Sequence, residues 1–300
     1  MSVAAALVLV LAGIGAFGWP GFLRGPGSPR GVIAYQGRVA ESGYRLFTIR
    51  ADGKDLHRLP VSIPNESFAF PAYSPDGKRL AFVGEAEGGR QDLFVARADG
   101  SQPVSIVPSP LVQIGAASWS PDGASLVFSW KRDGDWEIFT VHADGTALVK
   151  LTNDRGFHGG AVFSPDGKTI VFTADRGGAD SHLFSMNADG SGVRQLTFGQ
   201  DESAADFSPD GRTIAYVGFT GGNADLWTMN ADGTARRRLT TDPMFEYDPR
   251  WSPDGRWIAF EGYRGDFPDL YVLRADGTGR RQLTNTERYA GNPAWIPGRD

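Results

Sequence analysis

The chain has 300 residues, 40 of them Gly and 19 Pro, yet 41% are apolar and 12% aromatic. That is ample material for a core, so a disordered chain is excluded and the Gly and Pro punctuate an ordered fold. Cysteine is absent, which removes disulfides, Cys-ligated zinc and a thiol nucleophile, and a net charge of −5 argues against a general nucleic-acid binder.

In chain order, the N-terminus stands apart. Residues 1–23 hold no ionisable side chain, and residues 3–18 are almost wholly apolar. Such a run is long enough to cross a bilayer as an apolar helix, with Trp19 suited to the interface. A cleaved signal peptide is the rival reading, although no basic residue precedes the run. Residues 24–30 form a Gly/Pro-rich linker in which the first charges, Arg24 and Arg30, occur.

From residue 31 onward one unit repeats. Ser-Pro-Asp-Gly starts at Ser74, Ser120, Ser164, Ser208 and Ser252, and Ala-Asp-Gly recurs around Asp52, Asp99, Asp144, Asp189, Asp232 and Asp276. A spacing in the forties is the mark of a repeat architecture. Both motifs are turn chemistry: Pro presets φ after the Ser, and Gly takes the left-handed conformation that closes a hairpin. Two hairpins per repeat make four strands, read after Gly160 as residues 161–164, 169–173, 182–187 and 193–197.

Four-stranded units of this length are propeller blades. The first repeat starts at its second strand, residues 32–35, and residues 292–296 supply a first strand with Trp295 aligned on Trp251 and Trp119. The expected fold is therefore an all-β, six-bladed β-propeller over residues 31–297, with five whole blades and one closed by the two termini. Closure removes free sheet edges and implies a monomer.

Trp-Ser-Pro-Asp-Gly, Ile-Ala-Phe, Asp-Leu-Tyr, Ala-Asp-Gly and Arg-Gln-Leu-Thr together resemble the TolB-type, WD40-like (PD40) propeller repeat. The resemblance implies a bacterial cell-envelope protein that binds other proteins. It also admits the propeller half of a prolyl-oligopeptidase-type peptidase, or a sugar lyase. No Gly-x-Ser-x-Gly elbow occurs in the sequence, which sets the peptidase option aside. The extra N-terminal domain of TolB itself is not expected before residue 31.

The repeated Asp residues serve turns, and the recurring acid before the third-strand apolar run (Asp92, Glu137, Asp225, Asp269) reads as a repeated hydrogen-bond acceptor. Function should lie where repeats differ, in the segments leading into each first strand. Six residues before the tetrad Ser stand Phe68, Ile114, His158, Glu202, Glu246 and Ala290; four before it stand Phe70, Ala116, Gly160, Ala204, Asp248 and Asn292. The expected site is a channel mouth with Phe68, Phe70, Leu111 and Ile114 on one side and His158, Asp201, Glu202, Glu246, Asp248, Arg250 and Arg288 on the other. A half-apolar, half-polar rim suits a protein, peptide or small ligand. No cofactor, metal or nucleic acid is expected, and the membrane is met through the N-terminal segment. The alternatives are a lyase or hydrolase using His158, Glu202 and Glu246, and an envelope sensor or accessory subunit.

Overall fold

A computed structural model describes residues 28–39, 43–63, 67–85, 90–108, 113–132 and 134–299. The apolar segment 1–23 and most of the 24–30 linker lie outside the described residues, as does Leu111. No helix of the described residues is long and apolar enough to cross a membrane.

The described chain forms six antiparallel four-stranded sheets, each a blade of one ring. Blade 1 is the split one: its inner strand Ala290–Ile296 pairs with Val32–Val39, which continues through Gly43–Arg50 to His57–Arg58. Blades 2 to 6 follow in chain order, with inner strands Phe68–Tyr73, Ile114–Trp119, His158–Phe163, Gln200–Phe207 and Phe245–Trp251. Inner strands touch their neighbours all round, and Ala290–Ile296 packs beside both Phe68–Tyr73 and Phe245–Trp251, which closes the ring.

The turns explain why these strands form where they do. In each Ser-Pro-Asp-Gly turn the Ser Oγ donates to the Asp carboxylate at 2.6 Å. The same Oγ accepts the backbone N–H five residues on, at 2.9–3.0 Å, which starts the second strand. The closing Gly sits at φ between 67° and 70°, where side-chain-bearing residues are disfavoured.

Second strands such as Leu80–Phe82 and Ile258–Phe260 are buried on both faces, because each blade is sandwiched between two others. Six buried apolar clusters result, one per blade interface. In four of the six blades an acid near the start of the third strand is an acceptor: Asp92 takes Ser105, Glu137 takes Thr152, Asp225 takes Arg238 and Asp269 takes Thr284. The inner ring is stitched further by Trp119 Nε1 on the Ala72 carbonyl and Trp295 Nε1 on the Arg250 carbonyl, both at 3.0 Å.

Inner strands start earlier than the pattern suggested. In blade 4 the strand begins at His158 rather than residue 161. Each inner strand carries a β-bulge, seen as a register shift at Ala69/Ala72, Ile114/Ala117, Gly159/Val162, Ser203/Asp206 and Tyr247/Arg250, and opposite Ala34/Gln36 in blade 1. Phe70, Gly160, Ala204, Asp248 and Asn292 occupy the left-handed region in it, at φ between 49° and 58°.

Candidate functional site

The bulge sorts the two differing columns into different environments. The column six residues before the tetrad Ser is buried throughout: Phe68, Ile114, His158, Glu202, Glu246 and Ala290 are all at most 5% exposed. The column four before it is half-exposed and faces the channel. The expectation that His158, Glu202 and Glu246 form an open polar rim therefore needs correction. They belong to strands rather than to open loops, and each is engaged locally.

His158 Nδ1 lies 3.1 Å from the Trp136 carbonyl and Nε2 lies 2.9 Å from Asp154. Glu202 accepts the Gly199 N–H at 2.9 Å and faces His182 at 3.4 Å. Glu246 accepts from Thr240 and from Arg280, the latter at 2.5 Å, while burial pushes its carboxyl up to about 7. Arg288 is exposed on its loop, outside the lining of the mouth. Arg250, two residues beyond Asp248 on the same inner strand, donates to the Pro249 carbonyl at 3.1 Å and lies within electrostatic reach of Asp206 on the neighbouring blade. Burial raises Asp206 to about 6 despite Arg250.

A cleft of about 640 Å³ occupies the channel mouth across blades 5, 6, 1 and 2. It brings together Phe68, Phe70, Asp248 and Asn292 from the expected set. Sequence reasoning missed its tyrosines, Tyr44, Tyr247, Tyr263 and Tyr289, and above all Glu261. Tyr44 and Tyr289 meet edge to face at 5.5 Å, and Tyr247 and Tyr263 do so at 5.6 Å.

Glu261 is only 2% exposed and accepts the Asn292 N–H at 2.5 Å. The Tyr289 and Tyr263 hydroxyls approach it at 3.3 and 3.5 Å. Burial, then the adjacent Asp248 carboxyl, holds Glu261 well above the ordinary carboxylate range. Burial and Glu261 likewise raise both phenols, which stay neutral donors. Glu261 was detectable as a departure from its column, since its repeat equivalents are Val83, Ser129, Thr173, Val217 and Gln36.

Comparison with known proteins agrees with this architecture. The profile of the TolB beta propeller domain matches residues 31–217 and 200–300. The chain belongs to the TolB beta-propeller family. It is 38% identical over 176 residues to the Tol-Pal system protein TolB of Anaeromyxobacter dehalogenans, covering 58% of this chain and 40% of that one. Against the Tol-Pal system protein TolB of Alcanivorax borkumensis it is 32% identical over 92 residues, covering 30% and 20%. The chain thus spans less than half the length of these curated relatives.

Among solved structures, TolB from Acinetobacter baumannii superposes with a TM-score of 0.80 at 28% identity, over 98% of this chain and 71% of that one. An oligogalacturonate lyase in complex with manganese superposes at 0.61 with 16% identity, over 85% and 74%, a likeness of fold alone.

Proposed function

We propose that this propeller is a non-catalytic protein-binding module of the bacterial cell envelope, and that a segment of its partner seats in the channel mouth. The observation that carries the reading is the inner-strand column. Bulges at equivalent positions present Phe70, Asp248 and Asn292 on adjacent blades 2, 6 and 1, with Ala116, Gly160 and Ala204 on the other three. Large aromatic and polar groups on one arc and small residues on the other form an asymmetric cleft on a near-symmetric ring. A rigid scaffold with aromatic anchors and a few polar groups is a docking surface for a chain segment. The family's Tol-Pal relatives support a protein as the ligand.

The catalytic alternative has less support. His158, Glu202 and Glu246 sit on three different blades, and each already holds its own partners. Among the described residues no three His, Asp or Glu side chains converge as a metal cluster.

The test is site-specific photo-crosslinking in envelope preparations. A benzoylphenylalanine at position 70 should capture a discrete partner, and one at position 104, exposed on the outer strand of blade 2, should not. Equal capture at both positions would remove the mouth as the docking surface. With the partner in hand, Phe70→Ala and Tyr247→Ala should each weaken binding about tenfold, or about 1.4 kcal/mol.

A further inference from the structure

Four buried carboxylates among the described residues stand beside a basic side chain. Glu137 meets Lys150 at 2.8 Å, Glu202 faces His182 at 3.4 Å, Asp225 meets Arg238 at 2.6 Å and Glu246 meets Arg280 at 2.5 Å. Such matching is what an interior charge requires. Glu261 breaks the pattern. It is as buried as the others, yet among the described residues neither it nor Asp248 has a Lys, Arg or His in ion-pair contact. No Lys or Arg lines the cleft above them.

The walls around this unmatched pair are aromatic. The Tyr44–Tyr289 and Tyr247–Tyr263 pairs flank it, and Tyr289 and Tyr263 also hydrogen-bond Glu261. Phenol rings beside two carboxyls favour an organic cation, through the negative ring faces as well as the formal charge. A small hydrated metal ion would gain little from the rings.

Resting on the protein-binding reading above, we propose that the Asp248–Glu261 pair and its four tyrosines form the pocket for a cationic side chain, Lys or Arg, of the partner segment. The segment runs on over blade 6. A second hollow there, of about 1120 Å³, shares Tyr247 and Tyr263 with the first and continues along Met244 and the exposed Phe245. In the free protein, burial and the neighbouring Asp248 favour a protonated Glu261, and the arriving ammonium or guanidinium displaces that proton to solvent. The titratable groups facing the pair are Tyr247 on the Asp248 strand, Tyr263 on the Glu261 strand, and Tyr289 before the blade 1 inner strand. Tyr44 and Glu85 also line the cleft, whereas Arg250 lies outside its lining and donates to the Pro249 carbonyl. Affinity for the cation should therefore rise with pH as Glu261 loses its proton.

The experiment is an array of random heptapeptides, acetylated and amidated, probed with the full chain. Peptides bearing Lys or Arg should be retained at least tenfold better than the same peptides with acetyl-lysine or citrulline, and better at pH 8 than at pH 5. Glu261→Gln and, on the half-exposed side, Asp248→Asn should each erase that preference while the urea midpoint shows a folded protein. Two variants guard against a fold defect in either.

Retention indifferent to charge, but lost in Phe70→Ala, would overturn the cation pocket and leave the protein-binding mouth standing. No retention, with crosslinking equal at positions 70 and 104, would overturn both. Stoichiometric binding of calcium chloride alone, abolished by Glu261→Gln and unaffected by Lys peptides, would assign the pair to a metal ion and overturn the proposal.

Discussion

At the scale of single residues, recurring glycines do two separable jobs, and substitution distinguishes them. Gly233 closes an Ala-Asp-Gly turn at φ 88°, and an added Cβ would lie 2.9 Å from the Leu196 carbonyl oxygen of the preceding blade. Gly145, Gly190 and Gly277 make the same approach to Ile106, Leu151 and Leu239. Gly221, at φ 64°, has nothing within 4 Å of such a Cβ. Gly233→Ala should therefore cost about 2–3 kcal/mol, combining backbone strain with a clash against a fixed main-chain atom, and Gly221→Ala about 1 kcal/mol. Urea unfolding of the two variants checks this. Equal losses would mean that the turn glycines do not hold blades together. The Ser-Pro-Asp-Gly glycines were legible in the sequence because their turn accepts few residue types. The bulge residues were not, since Phe, Ala, Asp and Asn at 70, 204, 248 and 292 share no side-chain chemistry that would announce a left-handed backbone.

At the scale of elements, that hidden bulge is why the fold was readable and the site only partly so. Strand number, blade number and the split closure follow from turn spacing, which the sequence displays. Side-chain direction along each inner strand depends on one extra residue in the pairing, which reverses the alternation. His158, Glu202 and Glu246 thus face blade interfaces, while Asp248 and Asn292 face the channel. The closing strand offers the sharpest test at this scale. Trp295 packs with Trp257 and Leu270 toward blade 6, and Ile296 packs with Leu80 and Phe82 toward blade 2. A chain ending at residue 289 loses both contacts and leaves Val32–Val39 as an open, apolar edge. It should lose about 5 kcal/mol or more, from two large buried side chains and their ladder, and should self-associate in sedimentation experiments. A synthetic peptide of residues 290–299 should restore the monomer. Unchanged cooperativity in the shortened chain would show that the other five blades close without it.

For the whole molecule, charge is distributed so that stability should peak in mildly acidic solution. Hydrogen bonds from neighbouring Ser or Thr hydroxyls and backbone N–H groups hold the turn aspartates, among them Asp76, Asp122, Asp166 and Asp232, below their ordinary range. Their contribution is present above the unfolded-state pKa, about 4, and is lost as pH falls through the depressed folded values. The buried acids act oppositely. Burial raises Asp206 from the ordinary 3.8 to about 6 and Glu246 from 4.5 to about 7, and it raises Glu261 as well. Between about pH 4 and pH 7 the folded chain therefore holds protons that the unfolded chain has released. Unfolding free energy must then fall as pH rises, levelling off above the folded pKa values. Asp206, half-buried by area and facing Arg250, should account for about 2 kcal/mol of that fall. Urea titrations at pH 4.5 and pH 8 should show the native protein less stable at the higher pH, with a smaller difference in Asp206→Asn. Stability that climbs toward pH 8 would mean that Arg250 and Arg280, rather than desolvation, govern these carboxyls. The channel would then carry its acids ionised at neutral pH, and ionised acids in the mouth would attract a cation without first surrendering a proton.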